Sequence, residues 1–263
     1  MKYIKKFLIQ WASVALLIPA IPVTAETVHI AHCRGACPPA GGPDNEVVVR
    51  HLYAASVDSG TGLAQWVAYR VLPGSVGVAS LLPRRWEADS LLRSGVPDEL
   101  LEAEGPRLVQ PDLSNVQDRE YRVNEVLINP EDRGRLAPMS SFAGTPYWEE
   151  LNKLSNMAPL PPALRLGSWA RLEMAINELS ARTGVLYVVT GPLSANPQGY
   201  FKVVVSTDGL VAFEFPRDLP LHADFCVQAS TLARIEARIG FALFPSAAPG
   251  AATTLQEDLG CRH

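Results

Sequence analysis

Continuous apolar runs alternate along this chain with stretches rich in proline, glycine and charge, and the apolar runs predict the elements. Residues 46–57 and 64–72 carry Val47-Val48-Val49 and Trp66-Val67-Ala68-Tyr69, β-branched and aromatic side chains that suit strands. Ser59-Gly60-Thr61-Gly62 between them predicts a turn. Residues 73–125 hold many prolines and charges with little period, and predict a long loop region with short helical pieces, one of them near 97–103. Over 168–183 the period becomes helical. Trp169, Leu172, Ile176 and Leu179 share a face, and Gly184 offers a C-cap. The apolar run 185–190 predicts a buried strand, and 201–206 with 210–215 flank Thr207-Asp208-Gly209, a hairpin signal. A second helix is predicted between Ser230 and Gly240, then a short strand at 241–244 and a tail of small residues at 246–254. No internal repeat is present. Strands and helices interleave without regular βαβ alternation, so the predicted class is α+β.

The first 25 residues change this picture. Lys2, Lys5 and Lys6 precede an apolar run beginning at Phe7, and Val23-Thr24-Ala25 fits a small-residue cleavage site, so 1–25 reads as a secretory signal and 26–263 as one exported domain. The rival reading, an uncleaved anchor, asks more of the apolar run than it has, since a span needs ~20 residues. No other segment is long and apolar enough to cross a membrane. Loss of the three leader lysines takes the formal charge from −4 to −7. A chain that acidic lacks the broad basic footprint of a general nucleic-acid binder, so a nucleic-acid site here must be a local arginine cluster. Four cysteines, Cys33, Cys37, Cys226 and Cys261, suit two disulfides in an exported chain, and the sequence allows three pairings. Cys33 and Cys37 are close enough to staple the Gly- and Pro-rich start of the domain, with Cys226 and Cys261 then tying down the tail. A C-x3-C zinc half-site is the alternative, and no second Cys/His pair has suitable spacing for it.

Residues 132–138 read Asp132-Arg133-Gly134-Arg135-Leu136-Ala137-Pro138. They resemble the DRGHxAP signature of the DNA/RNA non-specific endonucleases, the ββα-metal nucleases. Other segments carry the same resemblance: Arg50-His51, Arg84-Arg85-Trp86, Trp148-Glu149-Glu150-Leu151-Asn152, Leu154-Ser155-Asn156, Gly167-Ser168-Trp169-Ala170-Arg171-Leu172-Glu173, Val188-Val189-Thr190-Gly191-Pro192-Leu193 and Ala223-Asp224-Phe225-Cys226. The resemblance implies a ββα-metal fold, a central antiparallel sheet flanked by helices. It also implies the phosphate backbone of DNA or RNA as ligand, Mg2+ as the cofactor of an intact site, and the paired cysteines of the family's secreted branch. A homodimer, or a dimer with an active relative, is the implied assembly.

The chain departs from the family at the two positions that matter most. The family's general base is the His of DRGH, and here that position is Arg135. Its protein ligand to Mg2+ is an Asn in a segment like PQxxxLNxGxW, and alignment from Pro159 and Gly167 places Arg165 there. A guanidinium gives up no proton in a protein and has no lone pair for a cation, so neither role survives the exchange. Arg84 and Arg133 remain as phosphate contacts, Asn156 stays in place, and Glu173 sits on the predicted helix. The histidines offer no replacement base. His222 lies in a stretch the family does not use for catalysis, and a packing or surface role fits it better.

Three readings follow. In the first the protein is a secreted or periplasmic nuclease homologue that does not cut, needs no cofactor and holds nucleic acid or phosphate with arginines. A closed variant of that site has Glu173 paired internally with Arg165 or Arg135. In the second, Glu173 serves as base in a rebuilt, Mg2+-dependent endonuclease. In the third, the chain is a non-catalytic subunit of an active nuclease, with Glu149-Glu150 and the 73–125 region as candidate partner surfaces and an ordinary solvated face as their blander explanation.

Overall fold

The computed structural model describes residues 30–84, 86–93, 134–194, 198–246 and 249–261. The leader 1–25, the helical piece expected near 97–103 and Arg133 lie outside the described residues. Among those described, no helix is long and apolar enough to cross a membrane.

Seven strands form one antiparallel sheet. They are β1 (Glu46–Val49), β2 (Tyr53–Val57), β3 (Ala64–Val71), β6 (Leu186–Pro192), β7 (Gly199–Val205), β8 (Leu210–Pro216) and β9 (Ala229–Ser230), in that spatial order. Two short strands, β4 (Gly134–Arg135) and β5 (Met157–Ala158), pair with each other off the sheet. The central strands are apolar on both faces because both faces are covered. In β7, Tyr200 and Val204 enter one core with Trp169, Leu172 and Ile176, while Phe201, Val203 and Val205 enter a second core with Trp66 and Ile235. Burying each such side chain is worth roughly 1.5–3 kcal/mol, which makes the sheet the thermodynamic body of the molecule.

Helix α1 (Ala170–Thr183) packs on the first face through Leu172, Ile176 and Leu179. It ends at Gly184 at φ 101°, and it is entered through a helical turn at Pro162–Leu164 and a wider turn at Arg165–Trp169. Helix α2 (Leu232–Ile239) packs Ile235 on the second face. Its start is capped by Thr231, whose hydroxyl accepts from the Arg234 amide at 3.2 Å, and its end by the left-handed Gly240. Helix α3 (Thr253–Asp258) returns Leu255 and Leu259 to the first core. Cys33 is bonded to Cys37, and Cys226 to Cys261.

Three sequence expectations need correction. Residues 46–57 are two strands, because Arg50 N–H turns back to donate to the Tyr53 carbonyl at 2.8 Å while the Arg50 side chain reaches Asp89 and the His51 amide and ring bond Glu150. Residues 241–244 form no strand, since the Leu243 amide is taken by the Glu236 carboxylate at 2.7 Å rather than by a ladder. The small-residue tail is tied down in part: Gly250 and Ala252 exchange backbone bonds with Leu210 at 2.9 Å, just before α3 begins.

Candidate functional site

The residues singled out by the signature lie on a wall of short segments beside the first face. Strand β4 runs antiparallel to β5 with Arg135 opposite Met157, and the Leu136 amide donates to the Asn156 carbonyl at 3.0 Å. On the other side of the 152–156 segment runs the loop of residues 83–91. Its Glu87 amide donates to the Asn152 carbonyl at 2.9 Å, its Glu87 carbonyl accepts from the Leu154 amide at 3.0 Å, and Glu87 pairs with the Lys153 ammonium at 2.8 Å. The wall is three strips thick, with almost no regular secondary structure.

Gly134 fits there because β4 presses on Leu160. A Cβ at position 134 would stand 2.3 Å from Leu160 Cδ1. Arg135 follows, and its guanidinium lies 4.2 Å from the centre of the Trp86 ring and donates from Nη2 to Asn152 Oδ1 at 2.6 Å. Asn152 in turn donates to the Pro83 carbonyl at 3.4 Å, and Trp86 is buried against Leu154 and Met157. Arg135 is therefore held between a ring and an amide, a geometry that suits a guanidinium. Arg84, on the same loop two residues before Trp86, is exposed.

Asn156 is fully buried, and its amide is spent on backbone. Oδ1 accepts from Ala137 N–H at 2.8 Å, and Nδ2 donates to the Ala137 and Leu151 carbonyls, each at 3.0 Å. In this structure its side chain holds the segment after Arg135 in place.

Glu173, in the first turn of α1, faces the sheet, where Lys202 of β7 donates to its Oε1 at 2.8 Å. Lys202 has no exposed side-chain surface, and its ammonium lies 4.1 Å from the Trp169 ring centre and 3.5 Å from the Tyr69 hydroxyl. Burial pushes the Glu173 carboxyl up and the Lys202 ammonium down, and each opposes the shift of the other. The Arg165 guanidinium also lowers the Glu173 value, which places it within electrostatic reach. Glu173 thus has an internal partner that the sequence did not name, Lys202, beside the Arg165 guanidinium that also acts on it. The signal for Lys202 was a lysine inside the otherwise apolar Tyr200-Phe201-Lys202-Val203-Val204 run.

Sequence reasoning also passed over a buried polar network behind the wall. Asp89 accepts from both Arg50 Nε, at 3.3 Å, and Arg50 Nη2, from the Ser155 hydroxyl, and from the Leu91 amide at 2.9 Å. The Tyr53 hydroxyl lies 2.7 Å from Ser155 Oγ. The Arg50 guanidinium and these bonds hold the Asp89 carboxyl below the usual carboxylate range despite its burial, whose own effect is upward.

Comparison with known proteins points one way. The model of the DNA/RNA non-specific endonuclease family matches residues 38–246. A nuclease of Serratia marcescens is 32% identical over 254 residues, covering 88% of this chain and 87% of its own length. A nuclease of Nostoc sp. is 24% identical over 282 residues, covering 93% and 94%. Among solved structures, a crystal structure of the EndoG/EndoGI complex, concerned with the mechanism of EndoG inhibition, superposes with a TM-score of 0.56 at 21% identity, over 79% of this chain and 88% of that one. At that identity the likeness speaks to the fold, a ββα-metal nuclease fold.

Proposed function

The chain belongs to the DNA/RNA non-specific endonuclease family, and from that premise we propose that it is an exported member that binds nucleic-acid phosphate without hydrolysing it. The observation that carries this reading is the state of Arg135. At the position where the family places its general base stands a guanidinium that cannot take a proton from water, held by Trp86 and Asn152. The donors for a metal fit Mg2+ poorly. Arg165 has no lone pair and repels a divalent cation, the Asn156 amide is buried and bonded to backbone at both its oxygen and its nitrogen, and Glu173 already accepts from an ammonium. Among the described residues no three His, Cys, Asp or Glu converge to compensate.

Arg84, Arg133, Arg135 and Arg165 then supply the phosphate contacts, as forks that match phosphate oxygens. Export is supported by the leader at 1–25 and by the two disulfides, with residues 26–263 as the mature domain. Assembly as a homodimer or with an active relative rests on the resemblance. The competing reading, a rebuilt Mg2+-dependent endonuclease with Glu173 as base, has one observation in its favour: burial raises the Glu173 carboxyl toward the range a base needs.

The test is degradation of plasmid and RNA by the purified protein with Mg2+ or Mn2+, beside an Arg135→His/Arg165→Asn double variant. The expected result is no cutting by the natural chain and cutting by the variant. Metal-dependent cutting by the natural chain, lost in Glu173→Gln with the fold retained, would establish the rebuilt site instead.

A further inference from the structure

The three strips of the wall carry Arg84 and Arg135, and they meet the first core through Leu136, Ala137, Leu151 and Ala158. Among the described residues, the buried Asp89 adds a charged, directional join between the wall and the start of the sheet. Its carboxylate joins the turn between β1 and β2, through the Nε–H and Nη2–H bonds that Arg50 donates, to the 154–156 segment, through the Ser155 hydroxyl, and it fixes its own loop through the Leu91 amide. The Asp89 side chain has no exposed surface and Arg50 is 12% exposed, so the pair is shielded from salt and solvent. Tyr53 of β2 completes the link at Ser155. From Asp89 the loop runs back through Glu87, bonded to Asn152 and Leu154, to Trp86, against which the Arg135 guanidinium lies.

We propose that Asp89 is a positioning residue: through Arg50 and Ser155 it sets where the 83–91 loop presents Arg84 and Trp86, and through Trp86 and Asn152 the Arg135 guanidinium, to nucleic-acid phosphate. This rests on the phosphate-binding reading above. The physical reason for such a device lies in the ligand contacts themselves. Arginine carries much rotamer entropy, and a fork immobilised during folding does not spend that entropy on binding. Loop placement therefore converts directly into affinity, and Asp89 touches no ligand while controlling it.

The test compares the natural protein, expressed from the full chain and purified, with Arg50→Met/Asp89→Leu and with Ser155→Ala. Replacing both members of a buried ion pair by apolar groups commonly preserves stability, whereas removing one leaves an uncompensated charge. Binding of a fluorescein-labelled DNA oligonucleotide is followed by anisotropy in EDTA, with the unfolding temperature and the rate of tryptic cleavage after Arg84 measured alongside. The expected result is an unfolding temperature near that of the natural protein, faster cleavage, and affinity weakened about ten-fold in the double variant and about three-fold in Ser155→Ala, where ten-fold corresponds to 1.4 kcal/mol. A purely structural role would lower the unfolding temperature and leave the affinity of the folded fraction unchanged, and that result overturns the proposal. If the double variant does not fold, Ser155→Ala decides by the same criteria. If the natural protein binds no oligonucleotide at any salt concentration, the phosphate-binding reading falls. Cleavage after Arg84 then decides the positioning role alone: faster in the variants upholds it, and unchanged overturns it.

Discussion

The sheet and the wall are built by different means. The sheet is a continuous antiparallel ladder from β1 to β9, its central strands buried on both faces by apolar side chains. The wall of residues 83–91, 134–137 and 148–158 has two-residue strands and short 3-10 turns, and beside the apolar contacts of Trp86, Leu136, Leu151 and Leu154 it carries a set of directional side-chain bonds: Asn156 on the Ala137 backbone, Asn152 on Arg135, Asp89 on Ser155 and Arg50. Non-directional burial tolerates exchange of one apolar residue for another. Directional bonds do not, because each lost partner strands a buried polar group. The wall is therefore the part specified residue by residue. Within the sheet, the Lys202–Glu173 pair is the exception, a charged contact inside an apolar core.

That exception gives the largest expected effect. Glu173→Ala strands the Lys202 ammonium among Trp169 and Tyr69, at a cost of about 3–5 kcal/mol, read as a lowered urea midpoint. Glu173→Leu/Lys202→Met should recover most of it. A double variant as unstable as the single one would show that the ion pair is not what the core requires. For the same reason, loss of activity in Glu173→Ala says little about chemistry by itself. In the wall, Asn156→Ala removes three bonds to backbone. About 1–3 kcal/mol is expected, with faster hydrogen exchange at the Ala137 amide while the sheet amides keep their protection. Uniform acceleration in both regions would erase the distinction drawn between them. The smallest effect is a pH dependence at the N-terminal staple, where His32 Nε2–H donates to the Arg50 carbonyl at 2.8 Å. Burial lowers the His32 value below 6.5 in the folded state. The unfolded chain thus takes up the proton first, and stability is full above about pH 6.5 and declines as pH falls toward the lower folded value. His32→Gln should flatten the urea midpoint between pH 7.5 and 5.5, and a slope that persists assigns the dependence elsewhere.

The same division decides what could be read from the chain in advance. The hairpin at Thr207-Asp208-Gly209 and the caps Gly184 and Gly240 are local events with local signals, and the structure has them where expected. The β1–β2 turn at Arg50-His51-Leu52 contains no glycine, proline or asparagine, so nothing local announces it. Its causes, Asp89 and Glu150, lie far along the chain. Lys202 and Glu173 are legible as types and illegible as a pair, since only the packing of α1 on β7 brings them together. The family was legible because its motifs are contiguous. The engagement of the Asn156 amide was not, because a sequence motif names a residue without saying which of its atoms are occupied.

Gly134 has a consequence for its neighbour. Its backbone lies so close to Leu160 that a side chain there has no room, whereas Arg135 beside it lies against the Trp86 ring and the Asn152 amide. Of two adjacent positions, one is constrained by shape and the other by the partners of its side chain. A change of side chain at position 135 alters the partners available there and leaves the close approach of the strand to Leu160 untouched, so the scaffold and the side chain answer to different constraints.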